Sequence, residues 1–462
     1  MMSAMTLEQL SEVMPVSSVA GNAVFKRVST DTRDIKEGDL FVALRGKHFN
    51  GNEFVGEALN QGAVAALVDQ APCVDMPHLL VGDTRQALGV VARCNRRQFK
   101  GKLVALTGSA GKTTVKEMLA AIFSEVAPTL ATEANLNNEI GVPRTLLKIS
   151  PEHQFAVIEM GAAKVGDIAY LCQFAEPDIT LLTNAMSAHI EGFGSLENVV
   201  KTKGEIFDST AKDGFAVINW DSPFKAQWLK RAEQSHVKTF SLNSDQADVY
   251  ATNIELIAGK GAAFTLCCEK GLANIQLFLL GYHNISNALA AAAVAIAAGI
   301  PLEKIRSGLE KVKAVAGRLQ CLNTDKGATV IDDSYNANPG AVKAAIDVLA
   351  ECSGKRCLVL GVMAELGDRA AVMHKDVGAY AREKQIEQLI AVGEYAQDVV
   401  SGFGQTAKAF ANIEQLLDSL GDVERSDVVL VKGSRSARME RVVDALCMKT
   451  NDRGGADAGL AG

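Results

Sequence analysis

One stretch constrains the fold more than any other: "KLVALTGSAGKTTVKEMLAAIF", residues 102–123. An apolar run gives way to a glycine turn, and the turn to residues with helical spacing. A strand, a tight loop and an amphipathic helix in that order need a parallel sheet to pack on. The backbone N–H groups of Gly108, Ser109, Ala110, Gly111, Lys112 and Thr113 are expected to face phosphate oxygens, with Thr114 in the first helical turn behind them. The helix dipole adds to that attraction. Lys112 would reach the β- and γ-phosphates of a nucleotide, and the Thr113 hydroxyl would ligate Mg²⁺. The usual spacing G-x-x-x-x-G-K-[ST] requires a glycine at 106, where Leu106 stands. A plain glycine turn with a solvated Lys112 is the alternative. The joint presence of Gly, Lys and Thr between a strand and a helix disfavours it.

Around this unit the chain divides into three expected blocks, residues 1–100, 101–315 and 316–462. A length of 462 residues exceeds one ordinary core, and two to four domains is the usual outcome. The first block carries "DLFVALRG", "AVAALVD" and "HLLVGD" as short strands, and ends in the basic segment "RCNRRQFKGK", read as a linker. In the second, "FAVIEMGA", "DITLLTN" and "GFAVINWD" are each followed by a helical pattern, which means a parallel sheet covered on both faces. Residues 249–280 alternate loosely between glycines and predict a small added antiparallel sheet. "KAVAGRLQ" at 313–320 reads as a hinge. A second α/β set, of Rossmann-like type, follows in "ATVIDDSYNANP", "RCLVLGVM", "QLIAVG" and "DVVLVKG". The fold class is α/β throughout, and the Gly-rich tail "NDRGGADAGLAG" is expected to fray.

Composition excludes several classes. A net charge of −7 argues against nucleic acid as a partner. No apolar run approaches the ~18 residues of a membrane span, and no basic segment with an apolar core opens the chain. Nine cysteines without a C-x-x-C pair fit a reducing compartment. The protein is expected to be cytoplasmic and monomeric.

Further candidates stand at strand ends. Glu159 closes the strand of "VIEMGA", beside the crevice where ligands of α/β sheets collect. Taken alone, a glutamate there is more often solvated or capping. In "LLTNAMSAHIEGFGSLENVVKTKGEIF", His189 follows another strand, and Lys201 and Lys203 lie on the next helix. A single histidine after a strand is usually a hydrogen-bonded loop residue, and helix lysines usually face solvent.

Together these segments resemble the Mur ligase family, which couples ATP hydrolysis to amide-bond formation in peptidoglycan precursors. The family's loop is a shortened T-G-x-x-G-K-[ST], which "TGSAGKTT" fits, and that accounts for Leu106. The resemblance runs over nearly the whole chain through "STDTRDIKEGDLFVALRG", "TEANLNNEIGVP", "EMGA", "NAMSAHIEGFGS", "GYHNISNALAA", "GR", "DDSYNANP" and "VKGSRSARM". Within the family, "DDSYNANP", the E-M-G-A strand end and "GVMAELGD" look most like the branch that adds D-alanyl-D-alanine to a UDP-N-acetylmuramoyl tripeptide. The third residue of that tripeptide is meso-diaminopimelate or lysine.

The resemblance implies roles. Lys112, Glu159, His189 and Lys203 would be catalytic, with Thr113, Glu159, His189 and Lys203 around magnesium. Lys203 would be carbamylated by CO₂, with Lys201 the runner-up. Asn284 and Asn287 would lie near adenine. Arg318, Asp333, Tyr335, Asn336 and Lys432 would clasp the nucleotide on domain closure. Lys432 and Ser434 would approach the γ-phosphate side or the incoming amine. Thr32, Arg33 and Asn50 are candidates for the uridine diphosphate, and Asn135, Asn137 and Asn138 for the muramoyl channel.

Two rivals carry discriminating features. A folylpolyglutamate synthase shares the loop and the later blocks but has no dedicated nucleotide-sugar domain. A P-loop switch or transport ATPase normally has the full loop and a strand ending in Asp, where this chain has Glu159.

Overall fold

The computed structural model describes residues 2–187, 190–325, 327–423 and 426–447. The central sheet has nine strands. From one edge they run Thr129–Ala131, Phe155–Glu159, Lys102–Thr107, Ile179–Leu182, Phe215–Asn219, His236–Ser241 and Val249–Ile257, then Gly261–Cys268 and Gly271–Leu277. Neighbours are parallel up to Val249–Ile257, and the last two strands turn antiparallel. The antiparallel strands expected at 249–280 are thus an extension of the parallel sheet, joined to it where Phe240 pairs with Val249. "FAVIE" and "ITLL" are buried at every position, as a sheet covered on both faces demands.

The helix Lys112–Ser124 follows directly on the glycine turn. It packs against the Ala-rich helix Tyr282–Ala297 and the helix Leu302–Lys311. Small side chains permit that approach: a Cβ on Gly308 would lie 2.5 Å from the Ile122 Cα. Phe123 stacks on Phe155 with ring centroids 4.4 Å apart, which fixes the helix over the sheet.

The C-terminal sheet has six strands in the order Gln320–Asn323, Thr329–Asp333, Val428–Lys432, Arg356–Leu360, Gln388–Val392 and Ala407–Phe410. Only the first pair is antiparallel. The N-terminal sheet has five strands within residues 18–80, beside a two-stranded ribbon of Met5–Thr6 and Val24–Phe25.

The basic segment read as a linker is not one. Helix Thr84–Gln98 runs through most of it and is buried against the central domain. Asn95 Nδ2 donates to the carbonyls of Leu146 (2.9 Å) and Ile149 (3.0 Å). Arg96 donates to the carbonyls of Ala175 and Glu176 and pairs with Asp178 at 2.8 Å. Arg96 satisfies carbonyls at a loop end of the next domain and Arg97 pairs with the Glu176 carboxylate, uses that composition does not distinguish from a solvated linker. A Cβ on Gly89 would meet the Phe174 ring at 2.4 Å, so this helix and its neighbour touch closely.

At the other junction, Leu280 leaves the central sheet and enters the C-terminal core beside Leu319, Ile331 and Ile346. The "KAVAGRLQ" segment is an irregular connection between helix Leu302–Lys311 and strand Gln320–Asn323, with Gly317 at φ +74° and Leu319 at φ +51°. The Gly-rich tail, from residue 448 on, lies outside the described residues.

Candidate active site

The strand Lys102–Thr107 lies between Phe155–Glu159 and Ile179–Leu182, so three strand ends open onto the glycine turn. A cavity of about 750 Å³ lies there, closed from the other side by the C-terminal domain. Its wall includes the whole loop Ser109–Thr114 with Asn135, Asn137, Asn138, Glu159 and Lys203. Asn284, Asn287, Arg318, Asp333, Tyr335, Asn336 and Lys432 complete it. Sequence positions more than 300 apart are thereby brought to one space.

The turn is shaped by its neighbours. Gly111 sits at φ +80°, and a Cβ there would lie 2.4 Å from Asn287 Oδ1. Only glycine meets both conditions. Asn287 is itself held by Asn284, whose Oδ1 accepts from Asn287 Nδ2 at 3.0 Å. Lys112 Nζ donates to the Gly108 carbonyl at 2.8 Å, across the mouth of the loop. Burial pulls the Lys112 ammonium below its usual range; Glu159 opposes this and Arg318 reinforces it.

Two amides expected to face phosphate point elsewhere. The Ser109 N–H donates to the Asn184 carbonyl at 3.0 Å, and the Ala110 N–H to Asn184 Oδ1 at 2.9 Å. The amides that open the helix, at Lys112, Thr113 and Thr114, have no carbonyl in a preceding turn to bond. The helix start, rather than the whole loop, therefore offers the amides left for an anion.

Glu159 is 2 % exposed. Its Oε1 accepts from Asn137 Nδ2 at 2.8 Å and its N–H donates to Thr132 Oγ1 at 2.9 Å. Its Oε2 is buried with no partner. Lys116, one turn after Lys112, reaches the Thr132 carbonyl at 2.7 Å and so steadies the same corner. A buried carboxylate oxygen without a donor costs several kcal/mol unless a cation joins it. With the Thr113 hydroxyl on the same wall, the donors are hard oxygens that fit Mg²⁺, an ion that keeps water and phosphate oxygens as its other ligands. No cluster of three or more His, Cys, Asp or Glu able to hold a metal occurs among the described residues. His189, the remaining expected ligand, lies outside the described residues.

Lys203 is 2 % exposed and faces the cavity from helix Leu196–Asp208, whereas Lys201 on the same helix is exposed to solvent. Among the described residues no hydrogen bond or ion pair reaches the Lys203 Nζ. Burial, then the nearby Lys112, pushes its amine well below the ordinary lysine range. A buried amine of lowered basicity beside a second cation is a better nucleophile than an ordinary lysine.

Across the cavity, Arg318 donates from Nη2 to Thr113 Oγ1 at 2.9 Å and lies over the Tyr335 ring, 4.4 Å from its centroid. Lys432 pairs with Asp333 and donates to the Asn336 carbonyl at 2.8 Å. Burial raises the Asp333 carboxyl, and Lys432 opposes the shift.

Five of the described residues expected at the site are not on this wall: Gly108, Ser434, Thr32, Arg33 and Asn50. Ser434 is 2 % exposed, with its Oγ 3.1 Å from Ser436 Oγ and its N–H on the Val362 carbonyl. Thr32 and Arg33 form a single turn in the N-terminal domain, and Asn50 Oδ1 caps the turn Gly51–Phe54. Arg33 holds the Asp31 carboxyl at about 2, with a smaller contribution from Arg144 in the central domain. Asn138 lines the cavity and its Oδ1 also accepts from the Gly141 N–H at 2.9 Å, where helix Gly141–Leu146 begins.

The sequence reading missed His283, Asn184 and Asp221 on the same wall. His283 opens the Ala-rich helix and is pushed down to about 4 by burial and Lys432, with Asp347 opposing. Asn184 follows a strand end in "DITLLTN", so the rule that picked Glu159 also applies to it.

Three family models match successive parts of the chain. They are the Mur ligase family catalytic domain over residues 24–105, the Mur ligase middle domain over 106–295 and the Mur ligase glutamate ligase domain over 317–435. The chain is 43 % identical over 447 residues to the UDP-N-acetylmuramoyl-tripeptide–D-alanyl-D-alanine ligase of Escherichia coli, covering 96 % of this chain and 99 % of that one. A crystal structure of MurF from Acinetobacter baumannii superposes with a TM-score of 0.90 at 34 % identity, over 97 % of this chain and 100 % of the other. A MurF ligase from Thermotoga maritima in complex with ADP gives 0.83 at 29 % identity, over 92 % and 98 %.

Proposed function

The chain belongs to the Mur ligase family, and we propose on that footing that it joins D-alanyl-D-alanine to a UDP-N-acetylmuramoyl tripeptide at the expense of ATP. The carrying observation is one cavity that gathers Lys112, Lys203, Arg318 and Lys432 around Glu159 and Asp333. A wall of that kind suits a triphosphate and a carboxylate together. The match to UDP-N-acetylmuramoyl-tripeptide–D-alanyl-D-alanine ligases extends through the N-terminal block, which argues against a folylpolyglutamate synthase or a simple ATPase.

A carboxylate and an amine at neutral pH form a salt, not an amide. The terminal carboxylate of the tripeptide attacks the γ-phosphorus of ATP, and ADP leaves with the electrons of the broken P–O bond. The amine of D-alanyl-D-alanine then adds to the acyl-phosphate carbon, and inorganic phosphate departs with one oxygen of the original carboxylate. Each step brings anions together, and fixed positive charge is the main source of rate in such a site. Lys112 and the helix-start amides would hold the β- and γ-phosphates, and Arg318 the phosphate side of the hinge. Asn284 and Asn287 would flank adenine. Lys432, with Asp333, Tyr335 and Asn336, would close over the nucleotide and keep water from the acyl phosphate.

Mg²⁺ would be held by the Thr113 hydroxyl and Glu159, with His189 and carbamylated Lys203 as further ligands. Bound there, it would neutralise phosphate charge. Carbamylation, in which the neutral amine adds to CO₂ and loses a proton, turns Lys203 from a cation into an anion. An Nζ without a partner among the described residues and its lowered basicity support Lys203 over the exposed Lys201. Asn135, Asn137 and Asn138 would line the muramoyl channel. Thr32, Arg33 and Asn50 would contact the uridine diphosphate beyond the cavity. Ser434, buried against Ser436, would reach substrate only through movement of its loop. One chain completes the cavity, which supports a monomer, and no described helix is long and apolar enough to cross a membrane. We place its work in the cytoplasm, where ATP is.

Phosphate release from ATP tests the reading. It is expected to require both the UDP-muramoyl tripeptide and D-alanyl-D-alanine; release with neither overturns it.

A further inference from the structure

Asn184 sits just past strand Ile179–Leu182 and has no part in the roles above. It treats the phosphate loop as a neighbouring strand. Its carbonyl takes the Ser109 N–H (3.0 Å), its Oδ1 takes the Ala110 N–H (2.9 Å), and its Nδ2 donates to the Ala110 carbonyl (3.1 Å). Adjacent residues extend the clamp. Thr183 Oγ1 donates to the Ala110 carbonyl at 2.8 Å, and Ser109 Oγ accepts from the Met186 N–H at 2.9 Å. Asn219 Nδ2 holds the Thr183 carbonyl at 2.9 Å, which ties the clamp to the next strand.

We infer that Asn184 is a positioning residue for the nucleotide, fixing which loop amides meet phosphate. The inference rests on the reading of this cavity as an ATP site. A loop with two residues between its glycines, Ser109 and Ala110, has little backbone to wrap a phosphate. Asn184 satisfies both of those residues from outside and leaves the helix start as the phosphate-facing surface. Phosphate thereby meets amides already aligned with the helix dipole, and no loop ordering is left to oppose binding. The side-chain type matters. Asparagine both accepts from and donates to Ala110, whereas aspartate cannot donate and would set a negative charge beside the phosphates.

The test uses the full chain with fluorescent ADP and Mg²⁺, alongside KM for each substrate and a melting curve. Asn184→Ala is expected to weaken ADP by about tenfold, the scale of one or two lost hydrogen bonds, and to raise the KM for ATP alike. The KM for the tripeptide should stay within about twofold and the melting midpoint near that of the wild type, since only the loop is freed. The isosteric Asn184→Asp, which keeps the packing, should weaken ADP more than the alanine variant does. Unchanged ADP affinity in either variant overturns the inference, as does an equal rise in every KM with a fall in melting temperature. A wild-type protein that binds no ADP defeats the ATP reading itself, which is a separate result.

Discussion

Arg318 of the hinge and Thr113 of the phosphate loop, 205 residues apart in sequence, share a hydrogen bond of 2.9 Å. The guanidinium is flattened over Tyr335, and Tyr335 in turn donates its N–H to the Gly317 carbonyl at 3.1 Å. The C-terminal domain therefore touches the loop through a charge whose position is set by the hinge. A phosphate arriving at the Thr113 hydroxyl meets that charge at once.

Arg318→Lys keeps the charge but loses the planar fork and the stacking on Tyr335. Steady-state kinetics should show ATP KM raised and kcat lowered, with kcat/KM for ATP down about ten- to a hundredfold. Unaltered kinetics would remove Arg318 from the nucleotide clasp.

Lys203→Ala should lower kcat by at least about a hundredfold, the scale of one lost electrostatic group in an active site. Short carboxylic acids added to the variant should restore part of the rate, because they resupply the anion of a carbamate. Lys201→Ala, altering an exposed side chain, should behave as wild type. A loss of rate in the Lys201 variant with none in the Lys203 variant would reverse the assignment.

Glu159→Ala removes the orphaned Oε2. Activity should fall about a hundredfold or more without a drop in melting temperature, since an uncompensated buried carboxylate leaves with the side chain. The rise in melting temperature that Mg²⁺ and ADP give the wild type should shrink in the variant. A normal ligand-induced rise would show that Glu159 does not serve the metal.

Asn95→Ala leaves the Leu146 and Ile149 carbonyls without their donor. Urea denaturation should register a loss of about 1–3 kcal/mol, with every KM unchanged. Stability equal to wild type would mean that apolar contact and the Arg96 pairs hold helix Thr84–Gln98 on the central domain without help from Asn95.

His283 bears on pH. Its imidazole titrates near 6.5 in an unfolded chain and at about 4 in the fold, because burial and Lys432 disfavour its charge. Between those values the unfolded chain binds the proton first, so stability is full above about 6.5 and declines as pH falls toward 4. His283→Asn should flatten that part of the pH–stability curve. An identical curve for the variant would assign acid sensitivity to other groups.

The strand–loop–helix unit and the strand end at Glu159 were legible because each is a local pattern with a physical motive, whereas Asn284 and Asn287 came only from the family resemblance. Glycine at 111 is required by a positive φ and by Asn287, but only the first of these leaves a local mark in sequence. The basic run at 93–102 misled, since Arg96 and Arg97 carry no sign in sequence of whether they face water or the Asp178 and Glu176 of a neighbouring domain. Asn184 and His283 went unseen for a similar reason. Their partners, Ala110 and Lys432, lie 74 and 149 residues away, and only the packed fold brings them together. Ser434 was chosen by motif, and its backbone bond to Val362 turns it from the cavity.

If ATP activates the tripeptide carboxylate by phosphorylating it, a carboxylate oxygen passes into the phosphate released. Tripeptide substrate labelled with ¹⁸O in its terminal carboxylate tests this directly. After turnover with ATP and D-alanyl-D-alanine, the inorganic phosphate, analysed by mass, should carry one ¹⁸O for each amide bond formed. Unlabelled phosphate, or phosphate formed without the pentapeptide product, would contradict the account.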